Sequence, residues 1–532
     1  MDSRGELLEF ARHASPLVRF GGLVLALSLV AVACTATSIA PGVSGASGAV
    51  AGPPGPTGRL TMGMGSEIES PHPYLASQIV GISARMNMFD NLVDYDHDGK
   101  LVPGLAESWV VDGLSIRFKL RQGVRFHNGE AFNAEAVKFS LEHLRDPSLR
   151  SPAVSNLAAV REFKVIDPAT VEMILSRVDA RIFDVLANDF SMVPPLYIQS
   201  VGIAGFISKP VGTGPFKFVE WVKDDHLLME ANESYWAGGY KGKPAVRSLS
   251  FRPLVTAAAR VAELRAGGVD WIQDVPPDQV ESLRAAGITV LSGKTPIVQH
   301  IYFNTTSAAG AKLQDARVRL AMNYGVDMNL IIRTVLRGYA RPLSGGITEQ
   351  TMGYNSDVKP FTQDQAKARS LLAEAGLSSG LDLDMDITTS AKSDLAEAVI
   401  GQLAQIGIRV KLNPLPSAVY NDRWVKKQMS PLYFSTWNTF TDPGLLDLLA
   451  GCKGFLSSFC SQEAQRYLDE GGATLDQAKR AVAYRNAVAA FARDPFAIFL
   501  GSSDVIAGMS ARVVGWRAHS VGYLIATGMQ VK

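Results

Sequence analysis

Apolar and polar positions alternate with period two in several short runs, and one segment joins that pattern to a helical one. Leu381, Leu383, Met385 and Ile387 alternate with Asp382, Asp384, Asp386 and Thr388, which predicts a half-buried strand. Leu395, Val399, Leu403 and Ile406 then recur at helical spacing, with Ser393 as the expected N-cap and Gly407 as the stop. Ile408, Val410 and Leu412 resume the alternation. Residues 381–413 therefore read as a strand–helix–strand unit, whose crossover should be right-handed. Another helix is expected from near Thr362 through Ala366, Leu371 and Leu372 to Gly376, giving a mixed α/β lobe over roughly 297–505.

The earlier body is richer in strands and turns. Arg59–Gly63, Ile116–Leu120, Phe163–Ile166, Thr170–Leu175 and Phe216–Trp221 all read as strands. After Phe118 and Leu120, Gly123 and the pair Asn128-Gly129 mark turns, because these residue types tolerate positive φ; a helix should follow. Asp94-Tyr95-Asp96-His97-Asp98-Gly99 imitates a calcium loop. Its twelfth position is Leu105, where a bidentate glutamate is required, so it reads as a turn joining two strands. Gly212–Phe216 is a tight turn without the lysine or spacing of a phosphate loop.

The N-terminus changes the compartment. Phe20 to Ala33 carries no charge and is shorter than the roughly 20 residues of a bilayer span, so 1–33 reads as a signal peptide. Val30-Ala31-Val32-Ala33-Cys34 resembles the lipobox of bacterial lipoproteins, which implies lipidation of Cys34 and a membrane anchor. Ala31 stands where leucine is usual, and Asp2, Glu6 and Glu9 make the leader unusually acidic. An ordinary cleaved signal peptide or an uncleaved anchor are the alternatives. Residues 34–58 are nearly all small and should form a disordered tether.

Beyond Cys34 the chain has only Cys452 and Cys460. In an oxidising compartment this close pair could close a disulfide; two free thiols are the alternative, and a zinc shell lacks ligands. The formal net charge of +1 gives no electrostatic case for nucleic acid. The eight histidines form no His-Glu-x-x-His pair, and no Gly-x-Ser-x-Gly elbow occurs, so no catalytic site and no cofactor is expected. Length alone calls for two or three subdomains.

The run Leu105-Ala106-Glu107-Ser108-Trp109, continued by Phe118 to Gly129, closely resembles the signature of the bacterial extracellular solute-binding proteins of family 5. These are the oligopeptide-, dipeptide- and nickel-binding receptors of ABC importers. Phe89-Asp90-Asn91-Leu92-Val93, Gly212–Phe216, Asn232-Glu233-Ser234-Tyr235-Trp236, Glu263 to Asp270, Ala316–Asp327 and Gly338-Tyr339-Ala340 resemble further family blocks in the same order. The likeness covers about 59–532.

This resemblance implies an α/β, two-lobed periplasmic-binding-protein-like fold (type II, cluster C) with an extra subdomain in the first lobe. Lobe I would comprise 59–80, 200–296 and 506–532, the extra subdomain 81–199 and lobe II 297–505, with a hinge near 296 and 505. It also implies an extracytoplasmic, lipid-anchored monomer. Such a protein captures a peptide or peptide-sized solute by lobe closure and delivers it to permease subunits. A non-peptide solute such as an oligosaccharide or nickel chelate, or a sensory role, are the alternatives.

For the ligand pocket, the resemblance places Ser77, Gln78 and Ile79 beside the cleft, with Asn304, Tyr339 and the loop Leu343–Gly353 as further candidates. Trp437 would be an aromatic floor. Peptide-binding relatives often carry an aspartate three residues after this tryptophan, to pair with the ligand's amine. Here the run is Trp437-Asn438-Thr439-Phe440-Thr441-Asp442, with Phe440 at that position. Either Asp442 takes over the role, with Thr439 and Phe440 lining the pocket, or the ligand is not recognised through an amine. Arg319 and Arg337 could meet a carboxylate, and His300 is the histidine to watch for a chelated metal or haem.

Overall fold

The strand–helix–strand unit lies where the alternation puts it: Leu381–Thr388, helix Ser393–Gln405 and Ile408–Leu415, the two strands pairing in parallel. The computed structural model describes residues 55–532, apart from Ser390, Lys392, Thr439, Phe440 and Thr441 and the side chain of Asn438. Cys34 and the leader lie outside the described residues. Leu395, Val399 and Leu403 are buried against the sheet. Ser393 opens the helix as its first residue rather than capping it. The helix expected from Thr362 starts later, at Gln365, because the Asp364 carboxylate caps it by accepting from the Lys367 amide.

Three sheets organise the chain. The first has seven strands in the order Thr289–Gly293, Val505–Met509, Trp271–Ile272, Arg59–Met64, Ser248–Pro253, His226–Ala231 and Phe216–Val222. The second has six, in the order Ala340–Pro342, Ala497–Ser503, Ile297–Phe303, Leu432–Asn438, Leu381–Thr388 and Ile408–Leu415. A four-stranded antiparallel sheet, Ala106–Asp112, Ser115–Leu120, Thr170–Leu175 and Val160–Asp167, stands apart from both. Ile116, Phe118 and Leu120 face its core, while Arg117 and Lys119 face solvent. The turn at Asn128-Gly129 leads through a cap by the Asn133 side chain into helix Ala134–Leu144.

Three of the further family blocks, those holding Asp90, Thr213 and Tyr235-Trp236, meet around one buried carboxylate. Asp90 accepts hydrogen bonds from Thr213 Oγ1 at 3.1 Å, Tyr235 OH at 3.1 Å and Trp236 Nε1 at 2.9 Å, and pairs with Lys241 Nζ at 2.9 Å. His127 belongs to the same structure: the Gly212 amide donates to its Nδ1, and its Nε2 lies 3.0 Å from the Gly214 carbonyl oxygen. A Cβ at Gly212 would lie 2.2 Å from the Met88 carbonyl oxygen, and one at Gly214 would lie 2.4 Å from the Met88 carbonyl carbon. Only glycine permits that approach. These motifs build the scaffold.

The chain passes between the two large sheets at two adjacent places. Lys294, Thr295 and Pro296 join Thr289–Gly293 to Ile297–Phe303, and Asp504 alone separates Ala497–Ser503 from Val505–Met509. The crossings are bonded to each other. Thr295 Oγ1 donates to the Ser503 carbonyl at 2.8 Å, and Ser502 Oγ donates to the Thr295 carbonyl at 2.8 Å.

Candidate functional site

A cavity of about 530 Å³ opens directly over these crossings. Thr295, Ser503, Asp504 and Val505 form its floor. One wall carries Ile79 and Ser83 from helix Ile79–Met88, Trp271, Gln273 and Asp274 from the end of a strand of the seven-stranded sheet, and the C-terminal segment from Trp516 to Leu524. The opposite wall carries Ile297, Gln299, Ala391, Phe434 and Thr436 from the six-stranded sheet and its loops. Both sheet systems therefore contribute to one chamber.

The first wall is aromatic. The rings of Trp271 and Trp516 lie 6.3 Å apart at 47°. Trp271 is almost fully buried, and its Nε1 has no hydrogen-bond partner. Asp274 is exposed, has a left-handed backbone (φ +53°) and accepts from the Gln273 side chain at 2.8 Å. His519 is buried, with Nε2 3.0 Å from the Tyr95 carbonyl oxygen; burial, with His97 beside it, pushes its pKa down to about 3, so the ring is neutral. Tyr523 is held by a 2.9 Å bond from its OH to the Asn188 side chain.

At the floor Asp504 is ion-paired to Arg341, whose Nη2 also donates to the Thr295 carbonyl at 3.2 Å. Burial raises the Asp504 pKa, and the arginine opposes that rise. On the far wall a side chamber of about 390 Å³ shares Ala391, Phe434 and Thr436 with the main cavity and is lined by Tyr420, Trp424 and Trp437. Trp437 meets Trp424 edge to face, with centroids 5.4 Å apart.

Of the residues expected at the pocket, Ile79 lines the main cavity and Trp437 the side chamber. Ser77 and Gln78 are exposed and bind Glu69 instead: the Gln78 amide donates to Oε1 at 2.9 Å and Ser77 Oγ at 2.7 Å. Asn304 is fully buried away from the cavity, because its amide donates to the Met429 carbonyl and its oxygen accepts from Thr306 and Ser307. Tyr339 packs on the apolar cluster around Val261 and Ile506, and its carbonyl accepts from the Asp504 amide. Thr439 and Phe440 lie outside the described residues.

Asp442 is not available to a ligand amine: it is buried in an ion pair with Arg480. No residue of the loop Leu343–Gly353 is among the cavity's lining; Leu343 and Ile347 are buried, and a Cβ at Gly345, Gly346 or Gly353 would strike Val488, Phe496 or Tyr484. Arg319 is buried, bonded to Asp494 and to backbone carbonyls including that of Pro495. Arg337 is exposed and lines an adjoining hollow with Arg260, Asp394 and Asp274, the last of which also lines the main cavity. His300 sits among Tyr302, Phe496 and Phe499, and burial pushes its pKa down to about 3. Among the described residues no group of three or more histidine, cysteine or acidic side chains is placed to hold a metal. Cys452 and Cys460 are joined in a disulfide.

Sequence reasoning missed Trp271, Gln273, Asp274, Gln299, Thr436 and the wall from Trp516 to Tyr523. For the C-terminal wall the available signal was one tryptophan and one tyrosine, Trp516 and Tyr523, in a stretch without periodicity. Among the described residues no helix is long and apolar enough to cross a membrane.

A family model described as bacterial extracellular solute-binding proteins, family 5, matches residues 100–455. The glutathione-binding protein GsiB of Pectobacterium atrosepticum is 28% identical over 508 residues, covering 92% of this chain and 95% of its own. Among solved structures, the periplasmic binding protein DppA of Helicobacter pylori, in complex with the peptide STSA, superposes with a TM-score of 0.74 at 24% identity. It covers 89% of this chain and 98% of its own. AgaA of A. tumefaciens, in complex with agropinic acid, superposes with a TM-score of 0.71 at 25% identity, covering 89% of this chain and 99% of its own. These structures share the two-lobed α/β fold.

Proposed function

Because this chain belongs to the bacterial extracellular solute-binding proteins of family 5, we propose that its cavity captures a short peptide or peptide-sized organic solute for delivery to the permease of an ABC importer. The observation that carries this reading is the cavity itself, which has walls from both sheet systems and a floor at the two chain crossings. A ligand touching both walls favours the state in which they are close and shifts the population toward it. A micromolar ligand supplies roughly 8 kcal/mol for that shift.

In this reading 59–80, 200–296 and 506–532 form lobe I, 81–199 its extra subdomain and 297–505 lobe II, with Thr295 and Asp504 in the hinge. The protein works by binding, without breaking a bond. It acts outside the cytoplasm as a monomer, anchored through lipid on Cys34; the Cys452–Cys460 disulfide supports an oxidising compartment. The GsiB and DppA names point to peptides, and the agropinic acid complex supports a compact non-peptide solute as the second reading.

A thermal-shift screen of the 55–532 body against dipeptides, longer peptides, oligosaccharides and nickel chelates tests this. Native-state binding raises stability by RT ln(1 + [L]/Kd), so a tight peptide should raise Tm by several degrees. Shifts confined to sugars or chelates would overturn the peptide reading.

A further inference from the structure

We propose that the segment 339–341 brackets the hinge, with Arg341 as the positioning residue that fixes the angle between the two large sheets. This deepens the function proposed above and rests on that reading, in which the walls close about the two chain crossings. Three consecutive residues face three different parts of the molecule. The Tyr339 ring packs on the apolar cluster of the seven-stranded sheet, around Ile272, Val290 and Ile506. Ala340 is buried in the cluster of the six-stranded sheet, which also holds Ile301 and Ile498. Arg341 reaches the crossings themselves.

The backbone of Arg341 pairs with Ser502 at the edge of the six-stranded sheet, so its side chain is rooted in that sheet. Nη1 holds the carboxylate of Asp504, the second crossing. Nη2 donates to the Thr295 carbonyl in the first crossing at 3.2 Å and to Ser502 Oγ at 3.3 Å. The Asp504 amide donates back to the Tyr339 carbonyl at 3.0 Å. Glu349 extends the bracket: it lies 3.9 Å from Arg341 Nε and is ion-paired to Lys294, where the first crossing begins. A hinge turns through φ and ψ changes in a few residues, here 294–296 and 504. The guanidinium is a rigid planar fork, so it keeps its bonds to both crossings at only one setting of those angles. Asp504 is also part of the cavity floor, and the fork therefore joins the ligand's surroundings to the hinge.

Double electron–electron resonance between nitroxides at Val219→Cys, in the seven-stranded sheet, and Val482→Cys, on helix Gln477–Arg493, tests this in a Cys34→Ser chain. Both positions are exposed, and Cys452 and Cys460 are joined to each other and take no label. Distances are measured without ligand and during titration with a mixed tripeptide library. Arg341→Met should widen the ligand-free distance distribution. It should also need about tenfold more of the library for the same shift, because less of the protein holds the closing geometry. Arg341→Lys, which keeps the charge but not the fork, should fall between. Arg409→Met, which breaks an exposed ion pair on the outer strand of the same sheet, should change neither. Arg341→Met combined with Asp504→Asn removes the carboxylate that the single variant leaves unpaired, and should stay wide. A return to the wild-type width there would trace the effect to that charge and overturn the bracket. Wild-type width in Arg341→Met, or in Arg341→Lys where the methionine variant does not fold, would overturn it as well. A widened Arg341→Met distribution beside a wild-type distance that no peptide shifts would overturn the peptide reading and leave the bracket standing.

Discussion

Asp442 and Arg480 form a buried two-pronged ion pair, with Nη2 of the arginine 2.8 Å from Oδ1 of the aspartate and Nη1 bonded to Oδ2. Arg480 is fully buried and also donates from Nε to the Gly471 carbonyl. Removing the carboxylate leaves a guanidinium uncompensated in the interior. Asp442→Asn should therefore cost about 3–5 kcal/mol in urea denaturation, while surviving folded protein keeps its ligand affinity. Unchanged stability with loss of that affinity would mean that Asp442 serves the ligand after all.

The segment after Asp442 meets the region of the four-stranded sheet at Gly444. A Cβ there would lie 2.5 Å from Cγ and 2.8 Å from Cδ of Arg181, a residue at the start of helix Ile182–Asn188. Gly444→Ala should force the two surfaces apart, lowering ligand affinity and raising the radius of gyration in solution scattering. Arg181→Ala in the same chain should restore both. If the double variant behaves like Gly444→Ala alone, this contact does not govern closure.

Asp90 should be as sensitive as Asp442. It compensates the buried Lys241 and accepts three further hydrogen bonds. Asp90→Asn should cost about 3–5 kcal/mol, because the lysine loses its counter-charge. Trp236→Phe, which removes one donor and leaves the pair intact, should cost only about 1 kcal/mol from that lost bond. Equal losses in chemical denaturation would contradict a hub centred on the ion pair.

Acid should destabilise the fold before most carboxylates titrate. Burial pushes His72, His300 and His519 down to about 3 and His127 to about 4. Each is neutral when folded but takes up a proton when unfolded below about pH 6.5. Their contribution is complete above that value and is lost as pH falls toward 4. Asp94 opposes this trend, because burial raises its pKa to about 7: its contribution is present below the unfolded value near 4 and is lost as pH rises to 7; Asp184, Asp189 and Asp504, also raised by burial, oppose it in the same sense. Tm measured across pH 4–7 should rise with pH, and more steeply in Asp94→Asn. A flat profile in that variant would mean that the histidines do not outweigh the buried carboxylates that remain.

The local record was legible in the sequence. Alternation located Leu381–Thr388 and Ser115–Leu120, because a strand that buries one face must place apolar residues at every second position. The turn at Asn128-Gly129 could be read for the same kind of reason, since backbone sign is a property of single residues. The spacing of Cys452 and Cys460 was likewise visible, though only the fold joined them.

What a polar residue does once buried was not legible. Asn304 and Asp442 looked like ligand contacts, and tertiary structure spent both on internal partners, Met429 and Arg480. Asp274 and Trp516 looked ordinary, and folding brought residues 242 positions apart to one chamber. Periodicity is a signal between near neighbours, so it determines which strands and helices form. The wall from Trp516 to Leu524 has no such period, and its place at the cavity follows from the two chain crossings, which only the folded sheets bring side by side.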